Sequence, residues 1–585
     1  MKNSVCLFVS RLASTRAILT ALLALAFVSP AAAQKSRVEE FLERYKFMNK
    51  YRPAPITLPE PMVSQTSLEN YIRGGALQLG VGDVIELTLR NNLDIVVDRL
   101  GPYSTQLLVD TAYRPFEPTA RFGASISHDK SPSRSQLTGT EPVSQTQLSL
   151  TAGLTQNLPT GTQFAVDASL IRASSNNIFN TFNPAWTGLI RYSATQHLLR
   201  DYGRSANMYQ IRVARNNEEI SEVQFERQVI ELVTQAEKSY WDLVFTAEDL
   251  KVKRESLALA NKTLTDNQRQ VAIGTLAPID VVQAEKEVAS RNLDVVKAVG
   301  TQQLTEDQIK KLISNRPDPG MTLAGVTPLD NANAPEPADI LGPELAIKLA
   351  LENRPEMRQI DYELRNRDLA LDYQRNQLLP QIDAFVTFNQ NGVGGKETLR
   401  NGFGPGAPVI AVNEGGVLNS LGQLFSFGYP GFSVGVNVQI PLRNRSQQAE
   451  YARAYTERRT TESRLDSTAQ QISLEVRNSI TAVETSKAGI EAARKTRELA
   501  ERTLEAEQKK FDLGASTIRF VLEEQRNLLQ AKTNEIAALV NYAKALVDYE
   551  RATGQTLKKR NIDIDKTLNL PGSGRGATGG APAKK

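Results

Sequence analysis

The sequence predicts an α+β membrane protein built from two homologous halves, in which β-strands form part of a membrane barrel and very long helices continue it as a helical barrel. Three observations support this fold class: an internal repeat with a period above 200 residues, segments with strand-like alternation, and two proline-free helical stretches of about 70 residues. Each half is therefore expected to form one wall unit of a larger assembly.

The first 33 residues have the features of a secretory signal peptide. A positively charged start precedes the 12-residue apolar run Ala17–Val28, and Ala31–Ala33 gives a small-residue cleavage pattern. Twelve apolar residues are too few to span a bilayer. The single cysteine, Cys6, would leave with the leader, so neither a disulfide nor a cysteine-ligated metal is expected. The remaining chain is nearly neutral, which argues against a nucleic-acid partner.

One stretch of the first half returns in the second. Leu79–Ile95 reappears 262 positions later as Leu341–Met357, with six identities in seventeen. This period is far longer than that of a solenoid repeat and indicates a duplicated domain. The sequence is accordingly divided into a signal peptide (1–33), an N-terminal Pro-rich segment (34–78), a first structural repeat (79–314), a connector (315–343), a second structural repeat (344–554) and a disordered C-terminal tail (555–585).

Strands are predicted at about 118–198 and 380–440, where apolar residues occupy every second position. Six segments of about 8 to 12 residues result, long enough to cross an outer-membrane bilayer when tilted. A soluble two-sheet sandwich would show the same alternation, but helices of this length would not fit one. Six strands are fewer than the smallest membrane barrel needs, so several chains must share a barrel. The residues between Thr387 and Gln423 are predicted to form a long extracellular loop.

The two long helices are predicted at about 204–273 and 444–513, and each has an apolar seam repeating every seven residues. Shorter helices are expected before the strands, at 83–112 and 344–377, and after each long helix, at 278–313 and 516–553. The paired short helices match a long helix in length, so we expect them to stack end to end along it. The seam positions are Ala236, Leu243, Leu250, Leu257, Leu264 and Val271 in the first half and Val476, Val483, Ile490, Leu504 and Phe511 in the second, with Arg497 as the one break.

Two predicted helical turns carry the clearest motifs. Ile273–Val281 reads IGTLAPIDV, Phe511–Leu522 reads FDLGASTIRFVL, and glycine suits a helix reversal with positive φ. These motifs, the duplicated halves and the order of elements from Leu79 to Gly554 resemble the outer membrane efflux protein family, the TolC-like exit channels of tripartite efflux and type I secretion systems. The strand-to-helix elbows also resemble the family, although His197 stands where the first elbow usually has proline.

The resemblance implies a homotrimer in the cell outer membrane with a periplasmic helical domain. Such a trimer passively conducts small molecules or polypeptides to the outside, without a cofactor, from a periplasmic adaptor protein and an inner-membrane transporter. The segment 34–78 would then also be periplasmic. By analogy, the adaptor would dock on the turns at about 273–278 and 513–517, through Ile273, Gly274, Thr275, Leu513, Gly514 and Ala515.

The resemblance also suggests a periplasmic gate formed by Asp280, Phe520, Glu523 and Arg526. Glu523 matches an acidic ring position of the family and Arg526 its neighbouring arginine, whereas a second acidic position is Phe520. Repeated carboxylates around a three-fold axis would filter charge. Asp280 matches an acid of the closed-state lock, but its usual aromatic hydroxyl and arginine partners correspond to Phe511 and Ser516.

Other functions fit the sequence less well. The chain has two histidines and no phosphate-binding loop or spaced metal cluster, so an enzyme is not expected. A secreted coiled-coil or surface-layer protein would show the same heptads without a pore, and it remains the alternative. The sequence leaves the cargo open, and it leaves open whether the hairpin at 145–172 widens the barrel, giving 18 strands in a trimer, or extends a surface loop, leaving 12.

Overall fold

The computed structural model describes residues 71–73, 76–132, 142–177, 179–274, 276–314, 324–330, 340–402 and 407–564. They belong to one structural unit, Met62–Thr567. The predicted signal peptide, most of the Pro-rich segment, most of the connector and most of the C-terminal tail lie outside the described residues.

The first half begins with two helices where the sequence predicts one. Helices α1 (Val81–Asn91) and α2 (Leu93–Ala112) meet at Asn92, which has an extended backbone. The side-chain oxygen of Asn92 accepts a hydrogen bond from the backbone N–H of Asp94, so one residue ends α1 and caps α2. A short helix, α3 (Gly203–Asn207), then leads to the 64-residue α4 (Tyr209–Ala272) and to α5 (Pro278–Ile313).

The second half repeats this helical order. Its first two helices, α6 (Pro343–Asn353) and α7 (Pro355–Gln377), meet at Arg354, because proline at the first position of α7 cannot continue the preceding helix. The long helix α9 (Arg445–Asp512) has 68 residues and is followed by α10 (Ile518–Ala552).

Each long helix packs against the shorter helices of its own half, α4 against α1, α2 and α5, and α9 against α6, α7 and α10. The predicted seam supplies part of this contact, since Leu243 and Val483 are fully buried. At the seam break, Arg497 donates to Glu535 of α10 at 2.5 Å, so an ion pair replaces the apolar contact there. Helices α7 and α10 of the second half also pack on α4, which joins the two halves.

A large antiparallel sheet contains strands from both halves. Its strands are β3 (Thr119–Ser131), β4 (Val143–Asn157), β5 (Thr162–Ser175), β6 (Phe182–His197), β8 (Gln381–Arg400), β9 (Val409–Glu414) and β10 (Pro430–Gln439). They are arranged in the order β10-β8-β6-β5-β4-β3, with β9 paired to β8. The predicted hairpin at 145–172 lies inside this sheet as β4 and β5, so it is not a separate surface loop. Among the described residues, β3 and β10 each have an unpaired outer edge.

The two faces of the sheet differ as the alternation predicts. Phe122, Ala152, Ala168 and Ile190 are aligned across β3 to β6 on one face. Polar side chains occupy the other, where Arg121 of β3 pairs with Asp167 of β5 at 2.8 Å. The halves join where β6 pairs with β8.

The residue that departs from the family's elbow lies at this junction. The Nδ1 atom of His197 is 2.6 Å from a carboxylate oxygen of Asp383, at the helix-proximal ends of β6 and β8. His197 therefore connects the two halves through Asp383, a contact that a proline at this position could not make.

Besides the two helix breaks, the structure differs from the sequence prediction in three segments. The expected loop between Thr387 and Gln423 contains the rest of β8, strand β9 and most of a helix, α8 (Val417–Phe425). The expected tail begins with a short helix, α11 (Thr556–Lys559), after which Arg560 pairs with buried Glu237 at 2.6 Å. A small sheet of β1 (Ile72–Arg73), β2 (Ala76–Leu79) and β7 (Gly325–Pro328) was not expected. Within the described ranges, no helix is long and apolar enough to cross a membrane.

Candidate docking and gating site at the helix turns

The two helix-to-helix turns have the same backbone geometry. Gly274 has φ +81° and Gly514 has φ +73°, a left-handed conformation that favours glycine. At the second turn, the Gly514 N–H donates to the carbonyl of Phe511 at 2.9 Å and the Ala515 N–H to that of Lys510 at 2.8 Å. This pair of bonds is the Schellman ending of a helix. At the first turn, the Gly274 N–H donates to Val271 at 3.0 Å in the same way.

The predicted docking residues are exposed at these turns. Ile273 is 74 % exposed and Leu513 is 84 % exposed, at equivalent positions one residue before each glycine. Gly514 and Ala515 are also exposed. Thr275, the remaining docking residue, lies outside the described residues. Each turn therefore exposes a large apolar side chain directly before its glycine.

The second turn is stabilised by polar contacts as well. The hydroxyl of Ser516 donates to Glu507, and the Lys510 ammonium lies 3.0 Å from the same carboxylate. The Ser516 hydrogen bond, followed by the Lys510 interactions, lowers the pKa of Glu507 below its usual range. Ser516, which stands where the family lock has arginine, thus closes the turn onto α9.

The aromatic position of that lock has a structural role here. Phe511 packs with Leu504 against the buried side chains of Ile518, Val521 and Leu522 at the start of α10. Its ring has no hydroxyl to offer Asp280. Phe511 and Ser516, the residues at the two lock-partner positions, therefore both stabilise the second turn.

The predicted gate residues are not drawn together into one cluster. Asp280 lies half-buried in the first turn of α5, whereas Phe520 and Glu523 are exposed on α10. Arg526 donates to Glu287 of α5 at 2.9 Å. Of the four residues, only Arg526 makes an ion pair between the two halves in the described part of the chain.

Glu287 and Arg291 complete a charged cluster that the sequence did not reveal. The Glu287 side chain is 9 % exposed and that of Arg291 is 6 % exposed, and the two are 2.6 Å apart. One carboxylate oxygen faces Arg291 on α5 and the other faces Arg526 on α10. A Glu to Arg spacing of four residues is common on solvent-exposed helix faces, so only burial distinguishes this pair. The cluster connects α5 and α10, the helices that follow the two turns.

No group of three or more potential metal ligands occurs among the described residues. Two other features of this region indicate a function: the exposed apolar side chains of Ile273 and Leu513, and the charged cluster around Glu287. Exposed apolar side chains on a fixed backbone suit protein docking, and the ion pair between Arg526 of α10 and the buried carboxylate of Glu287 on α5 suits control of the spacing of these two helices.

A comparison with family profiles identifies the second half. The profile described as outer membrane efflux protein matches residues 346–555. This match confirms the resemblance proposed from the sequence over the second structural repeat, and its description agrees with the predicted outer-membrane location and transport role. None of the curated protein sequences compared matches the chain.

Solved structures of similar fold cover both halves. The outer membrane channel CmeC of Campylobacter jejuni is 15 % identical, with a TM-score of 0.60 over 84 % of this chain and 90 % of that one. The outer membrane protein VceC of Vibrio cholerae is 14 % identical, with a TM-score of 0.57 over 81 % and 96 %. The open state of MtrE from Neisseria gonorrhoeae is 16 % identical, with a TM-score of 0.51 over 83 % and 90 %. At these identities the likeness establishes the fold.

Proposed function

We propose that this chain, which belongs to the outer membrane efflux protein family, assembles with two further copies into the exit duct of a tripartite export system. The duct conducts cargo passively from a periplasmic adaptor and an inner-membrane transporter to the outside. The observation that carries this proposal is the sheet shared by both halves, whose edge strands β3 and β10 are unpaired in the described chain. Unpaired edges in a membrane are costly, and pairing β10 of one copy with β3 of the next removes them.

The helices support the same assembly. Two long helices per chain, each with shorter helices alongside, would give three copies a closed helical wall below the sheet. The continuous path of six long strands favours the wider of the two barrels considered, with eighteen strands in a trimer. Barrel diameter grows roughly in proportion to strand number, so this barrel would be about one and a half times as wide as one of twelve strands.

We assign adaptor docking to the two turns. Ile273 and Leu513 would enter apolar pockets on the adaptor, with the positive-φ glycines fixing their direction. Each half contributes three of the six docking positions at its own turn, so three copies would offer six similar docking points. Because the two turns differ in their polar contacts, the adaptor could distinguish first-half from second-half turns.

The experiment for duct formation is detergent extraction followed by bilayer recording. A trimer that needs detergent and conducts ions supports the proposal; an extended oligomer in the soluble periplasmic fraction without conductance would contradict it and favour the structural coiled-coil alternative.

Adaptor docking is tested separately with Leu513→Asp, using Leu499→Asp on the preceding helix α9 as the control. Leu499 is exposed but lies away from the turn. The turn variant should keep its single-channel conductance and lose export in cells by about tenfold or more, since one buried leucine in a docking pocket contributes on the order of 2 kcal/mol. Equal export by the two variants would remove Leu513 from the docking surface.

We assign gating to the ends of α5 and α10. The Arg526–Glu287 pair would hold the two helices together in the closed duct, and exposed Glu523 would line the constriction. Arg526→Gln removes the ion pair between α10 and α5 and leaves the Glu287–Arg291 pair in place. It should therefore raise the conductance of the duct and the leakage of bulky toxic compounds through it. Arg519→Gln, an exposed arginine on the same helix, is the control. Glu523→Gln should alter cation selectivity; if neither Arg526→Gln nor Glu523→Gln changes the currents, the gate lies elsewhere.

A further inference from the structure

Helix α8 lies on the apolar face of the large sheet, in a segment expected to be an extracellular loop. It covers Gly188 of β6 and Gly392 and Gly394 of β8, where any added Cβ would clash with Leu424, Ser420 or Gly416 of the α8 region. The Ser420 hydroxyl is fully buried and donates to the Gly392 carbonyl at 3.0 Å. Glycines on the strands thus let a helix dock directly on the sheet, on the same side as Phe122 and Ile190.

The segment around α8 is unusually apolar for a loop exposed to water. Residues 415–442 contain no Asp, Glu, Lys or Arg, in a chain in which 23 % of residues are charged. Two large apolar side chains of α8 are nevertheless exposed, Leu418 at 77 % and Phe425 at 71 %. Phe427 and Tyr429, which follow the helix, are exposed as well. Apolar side chains exposed on a helix that also packs on an apolar sheet indicate that the surroundings of the helix are apolar.

The position of α8 along the strands agrees with the far boundary of the bilayer. Gly392 lies eleven residues beyond Gln381, the first residue of β8 next to the helical region. A tilted strand needs about 9 to 11 residues to cross the hydrocarbon core. In an outer-membrane barrel this length would place helix α8 at the extracellular interface, where Phe and Tyr side chains are common.

A cavity of about 650 Å³ opens between α8 and the strands. It extends from Leu421, Leu424 and Phe425 across the apolar face to β3. Its lining contains no charged side chain and its polar groups are few, namely Thr151, Ser169 and backbone atoms. A cavity of this kind, continuous with a membrane-facing surface, excludes a polar ligand because nothing would satisfy its hydrogen bonds.

We infer that this cavity binds an acyl chain of a lipid from the outer leaflet of the surrounding membrane, with α8 as an interfacial helix above it. The chain would lie along Phe122, Leu150 and Ile190, while the headgroup stays at the level of α8. Each buried methylene adds favourable transfer free energy, so the lipid is retained longer than those around the rest of the barrel. The inference depends on the outer-membrane location and not on the adaptor or the cargo.

The test fills the cavity and measures retained lipid. Ala152→Trp places an indole in the centre of the cavity, and Val386→Trp adds the same ring to the same apolar face outside it. Protein is extracted in mild detergent, and co-purifying lipid per chain is quantified by mass spectrometry during dilution with deuterated lipid. The native chain and Val386→Trp should retain lipid equally, and Ala152→Trp should retain about tenfold less. Equal loss from all three proteins would overturn the inference.

A photoreactive phenylalanine at position 425 identifies the occupant directly. Irradiation in native membranes should yield a chain carrying the mass of one lipid. Cross-linking to a second copy of the chain would instead assign the cavity to a contact between copies and contradict the lipid site. Ion conductance is recorded on the same samples, so failure of lipid binding with intact currents is distinguished from failure of the duct.

Discussion

The two halves contain the same helix break and stabilise it with different chemistry. Asn92 and Arg354 are 262 residues apart, at matching positions of the repeat, and each separates the two helices that precede the strands. In the first half the contacts are neutral: Asn92 accepts from the Asp94 N–H at 2.8 Å and donates to the Leu312 carbonyl at 3.1 Å. The amide therefore links the break to the end of α5.

In the second half the corresponding contacts are ionic. Arg354 donates to Glu356 and to Glu475 of α9, each at 2.6 Å. Burial alone would raise the pKa of both carboxyls, but the hydrogen bonds and charge of Arg354, together with a hydrogen bond from Gln471 to Glu475, outweigh it and lower the pKa of each. The comparison shows that the duplication preserved where the helix bends and not what holds the bend. The two turns show the opposite case, since both retain glycine and positive φ.

The largest expected effect comes from removing the ionic contacts at the second break. Arg354→Met leaves Glu356 and Glu475 without their shared cation and should destabilise the protein by about 3 kcal/mol. Thermal melting in detergent measures this loss. Arg358→Met, which removes a half-exposed arginine nearby, should cost less than about 1 kcal/mol. A triple variant with Arg354→Met, Glu356→Gln and Glu475→Gln should regain much of the stability; no recovery would mean that packing, and not charge, holds the break.

The turns provide the next largest effect and the test of equivalence between the halves. Gly274→Ala and Gly514→Ala each place a residue with a Cβ in a left-handed backbone conformation, so each should lower the free energy of unfolding by about 1 kcal/mol. Gly489→Ala is the control, because Gly489 lies inside α9 with open space around its Cβ position. That variant should stabilise by up to about 1 kcal/mol. Melting temperatures that fall for one turn and not the other would show that the halves differ in backbone requirements as well.

Sequence patterns predicted the elements whose signals are local. Helix α5 begins with Pro278 and continues to Ile313 as predicted, and both turn glycines occupy left-handed positions as expected. The buried Glu287 escaped prediction because its spacing from Arg291 is that of a surface contact and its second partner, Arg526, lies more than 200 residues away in the sequence. Helix α8 escaped because the strand glycines that receive it have no side chains to form a pattern. In both cases the missing information is a contact between distant parts of the chain.

The smallest predicted effect is a pH dependence confined to the second half. Because the folded pKa values of Glu356 and Glu475 are lowered, the stability that they contribute is present above the pKa of an unfolded glutamate, about 4.3, and is lost as pH falls through the lower folded values. The native protein should therefore lose melting temperature on acidification faster than the triple variant of Arg354, Glu356 and Glu475. Asn92→Ala removes only neutral hydrogen bonds in the first half, so its melting temperature should stay below that of the native protein by a pH-independent margin. If the melting temperatures of the native protein and the triple variant change with pH in parallel, the Arg354 ion pairs contribute no pH-dependent stability. The helix breaks of the two halves would then be energetically alike despite their different side chains.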